Sequence, residues 1–183
     1  EGNMGSNKAT LDYFDYETGI YHKNIYAERN PGVVQELGDV GNDIQIYGNK
    51  LYAIINCSHF VEVMNVETAK HITQISIPNC RYIVFKDKYA YVSSYAGPVK
   101  IDPNARLGYV ARVDTTTLTV KDTCVVGYQP EEMVIVGNKL YVANSGGYRV
   151  PNYDRTVSVI DLNTFKVIKT IDVGINLHRM ELD

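Results

Sequence analysis

Charged residues recur at the start of strand-like stretches: Asp43, Arg81, Glu132 and, near the end of the chain, His178 or Arg179. If the repeats that carry them pack around one axis, they would place carboxylate, guanidinium, carboxylate and a basic group around its mouth. Such a ring can hold a polar ligand, or its members can pair with one another. Two irregular segments, 95–107 (YAGPVKIDPNARL) and 146–155 (GGYRVPNYDR), add aromatic faces. Tyr95, Tyr148 and Tyr153 combine a flat apolar ring with a hydroxyl, which suits stacking on a sugar or a large planar cofactor. The same rings could instead pack the loops down. With Lys100, Asp102, Arg106, Tyr128, Glu131, Arg149 and Arg155 they define one candidate binding surface.

Catalytic chemistry has less to stand on. A hydrolase of the lactonase kind would need a general base and a cation converging at the mouth, roles that Glu131 or Glu132 with Arg81 and His178 could fill. No G-x-S-x-G or phosphate-loop pattern occurs, and no histidine pair has metal-ligand spacing, so neither a metal nor a cofactor is expected. His22 and His71 fall on outer strands, where solvent is expected, and His59 falls in a tight turn. Cys57, Cys80 and Cys124 form an odd set without C-x-x-C spacing, which argues against a disulfide framework or a zinc site.

The elements that must position these residues are strands. Segments such as KLYVANS, TVSVIDL and KVIKTIDV alternate apolar with polar residues and are rich in Val, Ile and Tyr. One turn fixes the register of a repeat: residues 15–18 (DYET), 65–68 (NVET), 114–117 (DTTT) and 161–164 (DLNT) recur at intervals of 50, 49 and 47. An Asp or Asn opening a turn can accept hydrogen bonds from N–H groups two and three residues on. A period of about 40–50 residues holding about four strands predicts an all-β fold, a β-propeller of four-stranded antiparallel blades.

The blades are expected at 43–77, 82–126 and 132–173, preceded by the outer strand pair of a first blade at 9–27 and followed by the first strand of a next blade at 178–183. No stretch carries a 3.6-residue pattern, so essentially no helix is expected. Within a repeat, insertions map to one face, often the binding face. The turns of the other face (GNK, KDK, GNK) are short and repetitive. A propeller protects its edges by closing its circle. The expected blades leave edges open, so the remaining ones should come from a longer chain or from a second copy.

Composition limits the function classes. A formal charge of −3 and a pI near 5.8 give no basic face for nucleic acid. No apolar run approaches the roughly 18 residues of a membrane span. The polar, Gly/Asn-rich start at Glu1 reads as a mature or trimmed N-terminus.

Residues 140–144 (LYVAN), 156–161 (TVSVID) and 167–174 (VIKTIDVG) resemble the YVTN repeat of YncE-like bacterial β-propellers. The opening EGNMGSNKATLDYFDYETG and closing INLHRMELD further resemble a subgroup of exported surface propellers. The resemblance covers essentially the whole chain and implies about half of a seven-bladed fold. It also implies a periplasmic or cell-surface setting, often lipid-anchored. Some propellers resembling this subgroup capture cobalamin, so the resemblance makes corrinoid capture one expectation. The leading expectation is a non-enzymatic propeller that binds a small-molecule or glycan ligand, or an outer-membrane protein partner, through its irregular-loop face. A protein–protein scaffold and a lactonase-type enzyme are the alternatives.

Overall fold

In every repeat one side-chain oxygen ties the recurrent turn. Asp15 Oδ1 accepts the N–H groups of Glu17 and Thr18 at 2.9 and 3.3 Å, and Asn65 Oδ1 those of Glu67 and Thr68 at 3.1 and 3.0 Å. Asp114 and Asp161 do the same, each at 2.9 Å, for residues two and three positions on. The residue that ends each turn, Gly19, Ala69, Leu118 or Phe165, sits in the left-handed region and donates its N–H to the carbonyl of the opening Asp or Asn. Only the first is a glycine, so the fold carries backbone strain at the other three.

The computed structural model describes residues 4–33 and 36–182. Residues 1–3 and 34–35, and residue 183 at the end of the expected strand 178–183, lie outside the described residues. The chain forms two compact units, Glu1–Ser76 and Ile77–Asp183. Among the described residues there are three four-stranded antiparallel sheets, each with the strand order of a β-propeller blade, and one two-stranded pair.

The first unit holds the short pair β1 (Tyr13–Phe14) and β2 (Tyr21–His22), then helix α1 (Ile25–Arg29). Its sheet has the order β3 (Gly41–Tyr47), β4 (Lys50–Ile55), β5 (Phe60–Asn65), β6 (His71–Ser76). The helix corrects the expectation of a strand running to residue 27. Asn24, at φ 50°, turns the chain and is held by its N–H donating to Asp12 Oδ1 at 2.8 Å. The helical turn then buries Tyr26 among Leu11, Leu37, Met64 and Ala69, which a strand continuing β2 would not do. Asn30 clamps it, donating to the carbonyls of Tyr26 and Ala69 at 2.8 and 2.9 Å while accepting the His71 N–H at 2.8 Å. A 3-10 turn at Asn56–Ser58 is a second departure from the helix-free expectation. His71 is not simply solvated either: its Nδ1 lies 2.6 Å from Oε1 of the fully buried Glu62.

The second unit consists of two sheets. One is β7 (Cys80–Lys86), β8 (Tyr89–Ser94), β9 (Tyr109–Asp114) and β10 (Thr119–Val125); the other is β11 (Pro130–Val136), β12 (Lys139–Asn144), β13 (Thr156–Asp161) and β14 (Lys166–Asp172). Strand β13 is buried along its middle, while β14, with its Lys and Thr residues, is mostly exposed, as suits an outer edge. Tyr91, Val110, Cys124 and Val126 of the first sheet pack against Met133, Leu140, Val142, Ile160, Leu162 and Phe165 of the second. Arg112 reinforces this seam. Its guanidinium forks onto Asp122 at 2.9 and 2.6 Å and lies 4.6 Å from the centre of the Phe165 ring. Among the described residues, no helix is long and apolar enough to cross a membrane.

The segments entering the expected innermost strands begin alike. Val40, Asn79, Gln129 and Asn176 all adopt positive φ, between 48 and 59°. The carbonyls of the first three accept the N–H groups of Asn56, Tyr95 and Ser145. A register shift follows each of these three, between Gly41 and Asp43, Cys80 and Ile83, and Pro130 and Met133. After Asn176 the chain does not form the expected strand in its described part, residues 178–182. The Glu132 N–H donates to the His178 carbonyl at 3.3 Å, but the next link, from Met180 N–H, goes to the Glu132 side chain at 3.1 Å. Side-chain substitution for a backbone partner stops the ladder there.

Candidate functional site

Pairing of Cys80 with Ser94 and of Pro130 with Asn144 makes Glu131, not Glu132, the counterpart of Arg81. This corrects the equivalence drawn from sequence. The two residues meet: Arg81 Nε donates to Glu131 Oε2 at 3.1 Å, with Glu131 fully buried and the Arg81 side chain 15% exposed. Glu131 Oε1 accepts hydrogen bonds from the Tyr95 hydroxyl and, at 3.3 Å, from Ser145 Oγ. His178 Nδ1 stands 3.5 Å from the same oxygen.

Electrostatics bind this group into a unit. Burial pushes the Tyr95 hydroxyl far above its ordinary pKa, and the adjacent Glu131 carboxylate adds to the rise. Burial alone would lower the pKa of Arg81, but Tyr95 and Glu131 beside it outweigh that and leave it above its ordinary value. The guanidinium also lies 4.8 Å from the centre of the Tyr95 ring, and Tyr148 meets that ring edge-on at 6.3 Å. Both oxygens of the Glu131 carboxylate are thus engaged by donors of the protein itself.

The two inserted loops close over this floor. Asp102 N–H donates to the Tyr148 carbonyl at 2.8 Å, and Asn152 Nδ2 reaches the Pro103 carbonyl at 3.4 Å. Buried Asn79 and Gln129 anchor one loop each: Asn79 Nδ2 donates to the Gly97 carbonyl at 2.5 Å, and Gln129 Oε1 accepts the Tyr148 N–H at 2.6 Å. Asp154, 9% exposed, holds the far end of the second loop. It accepts the N–H groups of Tyr128, Arg155 and Thr156 and the Thr156 hydroxyl, at 2.7 to 3.1 Å. Gly127 has to lack a side chain, because a Cβ there would come within 2.4 Å of Asn144 and 2.6 Å of Asp154.

The structure thus brings Arg81, Tyr95, Glu131, Tyr148 and His178 together. Arg149 lies 3.5 Å over the Tyr128 ring, and Tyr153 remains 39% exposed at the rim. Glu132 faces Met180 and Arg179, whose Nε is 4.0 Å away and largely in solvent. Arg155 turns outward to an exposed ion pair with Asp172 at 2.9 Å, and Asp43 lies in the other unit, accepting from Ile44 N–H at 2.8 Å. Sequence reasoning missed Gln129, Ser145 and Asp154, although a polar residue at the end of an apolar strand, as at Ser145, was a usable signal. A cavity of about 170 Å³ opens between Tyr95, Lys100, Asp102, Arg106 and Gln129. Among the described residues, no cluster of three or more His, Cys, Asp or Glu side chains could hold a metal ion.

No curated protein matches the sequence significantly. Among solved structures the chain is similar to hydrazine synthase from Kuenenia stuttgartiensis, with a TM-score of 0.67 and 17% identity over 89% of this chain and 43% of that one. It is also similar to BamB from Moraxella catarrhalis (TM-score 0.59, 11% identity, 78% and 37% of the two chains). Apo AztD from Citrobacter koseri gives a TM-score of 0.56 at 15% identity, over 80% and 38%. These likenesses are of fold, and the chain spans less than half the length of each of these structures. The family model described as "Domain of unknown function (DUF5074)" matches residues 1–180, and the chain belongs to that family.

Proposed function

We propose that this propeller binds a ligand without transforming it, on the face built by loops 95–107 and 146–155. The observation that carries the reading is the joining of these loops over the buried Arg81–Tyr95–Glu131 group. A rigid, charged floor beneath partly exposed tyrosine rings suits a ligand with a planar face and polar substituents. A sheet scaffold that positions irregular loops is a common basis for recognition.

The finer reading is a corrinoid captured by an exported, periplasmic or cell-surface protein. It draws on the resemblance of segments 140–144, 156–161 and 167–174 to YncE-like surface propellers. The test is calorimetric titration of the folded protein with cyanocobalamin, alongside the variant carrying Tyr148→Ala, Arg149→Ala and Tyr153→Ala. One-to-one binding that weakens roughly tenfold or more in the variant supports both site and ligand class. Absence of binding by folded protein removes the corrinoid. Undiminished affinity in the variant moves the ligand to another face.

A further inference from the structure

We propose that the cavity inside loop 95–107 is a subsite for an anionic oxygen group, a phosphate or a carboxylate, carried as a substituent of the bound ligand. Its size argues for a substituent. At about 170 Å³ it is smaller than pockets that engulf a whole drug-sized molecule, roughly 300–1,000 Å³. It opens beside Tyr95, whose ring meets Tyr148, so a ligand lying over Tyr148 can extend one arm into it.

The lining sets the chemistry. Gln129 is 2% exposed and lines the cavity. Its Oε1 is taken by the Tyr148 N–H, which fixes the orientation of the amide; its Nε2 donates to no hydrogen bond among the described residues. With Oε1 occupied, Nε2 is the polar atom of this side chain that still has hydrogen bonds to give, and a ligand oxygen in the cavity would accept them. Lys100 and Arg106, both exposed, line the same cavity and form no ion pair among the described residues. A Cβ added at Gly97 would lie 3.6 Å from Arg106 Nε, so the guanidinium stands beside the loop backbone at Gly97 while the side chain stays exposed. Asp102 is the one carboxylate in the lining, and its Oδ1 caps the Asn104 N–H at 2.9 Å. Two cations, one anion and an amide donor give the lining a net positive charge. Guanidinium and amide donors suit both phosphate and carboxylate oxygens.

This inference rests on the ligand-binding reading for its larger ligand, but it is tested without one. Inorganic phosphate and acetate are titrated separately into isotopically labelled protein at constant ionic strength, with chloride as reference, while the Gln129 side-chain amide is followed by NMR. The expected result is a saturable shift of that resonance with one of the two anions, which names the group. The affinity should fall roughly tenfold in the Lys100→Gln, Arg106→Gln double variant, whose altered side chains are exposed and leave the core intact. A shift no larger than chloride produces, or one undiminished in the double variant, overturns the subsite. The cyanocobalamin titration is independent of this result, so failure of one reading is distinguishable from failure of the other.

Discussion

Arg81 Nε lies 3.1 Å from Glu131 Oε2, joining equivalent positions on the innermost strands of neighbouring blades. Each residue satisfies a charge that the other's burial would otherwise leave exposed to a low dielectric. Removing one partner of a buried pair is costly because the other stays behind uncompensated. Glu131→Ala should therefore lower stability by about 3 kcal/mol, and Arg81→Ala by a similar or smaller amount because that side chain reaches solvent. In the double variant the losses should not add, with a coupling of about 2 kcal/mol. Urea unfolding of the four proteins measures it. Additive losses would mean that Tyr95 and Ser145, not Arg81, hold the carboxylate.

Backbone strain at the hairpin turns gives a cleaner comparison. Gly48 has φ 60° with open space around the position of a Cβ, so only its conformation resists a side chain. Gly48→Ala should cost about 1 kcal/mol. Gly174→Ala, also into open space but outside the positive-φ region, should be neutral or slightly stabilising. Thermal unfolding of the two variants side by side separates conformation from packing.

Much of this was legible in the sequence because a propeller repeats its chemistry. The turn opened by Asp15, Asn65, Asp114 and Asp161 needs a short acceptor at a fixed place, and the residue type shows it. The positive-φ residue that precedes each innermost strand was not legible, since Val40 occupies the place that Asn79 and Gln129 fill before the other two. The choice between Glu131 and Glu132 was hidden for a related reason. A bulge between Pro130 and Met133 breaks the two-residue alternation on which inward and outward positions are read. Helix α1 was missed because the alternating pattern before it hid the turn at Asn24. The cavity residues lie in a loop without periodicity, and the burial of Gln129 depends on contacts far along the chain.

Those repeated turns also predict an acid limb. Hydrogen bonds from the Thr18 side chain to Asp15, from the Thr117 N–H to Asp114 and from the Thr164 N–H to Asp161 hold all three carboxyls below the usual 3.8. A folded pKa lowered in this way stabilises the protein above the unfolded value, and the contribution disappears as pH falls through the folded one. Stability from these groups should be flat from neutral pH down to about 5 and decline below about 4. Asn65 already ties one such turn without charge, so Asp114→Asn should fold normally and show a shallower decline. Denaturant midpoints measured from pH 7 to 2 compare the two proteins.

Thiol chemistry reports on the seam of the second unit. Cys124 is 7% exposed within it, and burial pushes its thiol pKa up; Cys80 is fully buried, whereas Cys57 is only half-buried. Since the thiolate is the reactive form, a disulfide reagent added to native protein should modify Cys57 first. Cys80 and Cys124 should react only at the rate of opening, and Cys57→Ser should abolish the early phase. An early phase that survives Cys57→Ser would show that a buried thiol is reachable without unfolding.

Asp154 links stability to recognition. Its two oxygens gather the Tyr128, Arg155 and Thr156 N–H groups, so one side chain fixes both the segment before β11 and the return of loop 146–155 to β13. Asp154→Ala leaves those donors without their acceptor and should cost about 2 kcal/mol or more. Because Tyr128 lies beneath Arg149 and Tyr153 precedes Asp154 in the chain, the same change should loosen the aromatic rim while the Arg81–Glu131 pair remains. Hydrogen exchange should then speed up at Tyr128, Arg155 and Thr156 and stay slow in β8 and β12. Ligand affinity should fall with the loosened rim even where the protein remains fully folded. Uniform acceleration across both sheets would instead make Asp154 a support for the whole unit, with no special hold on the loop.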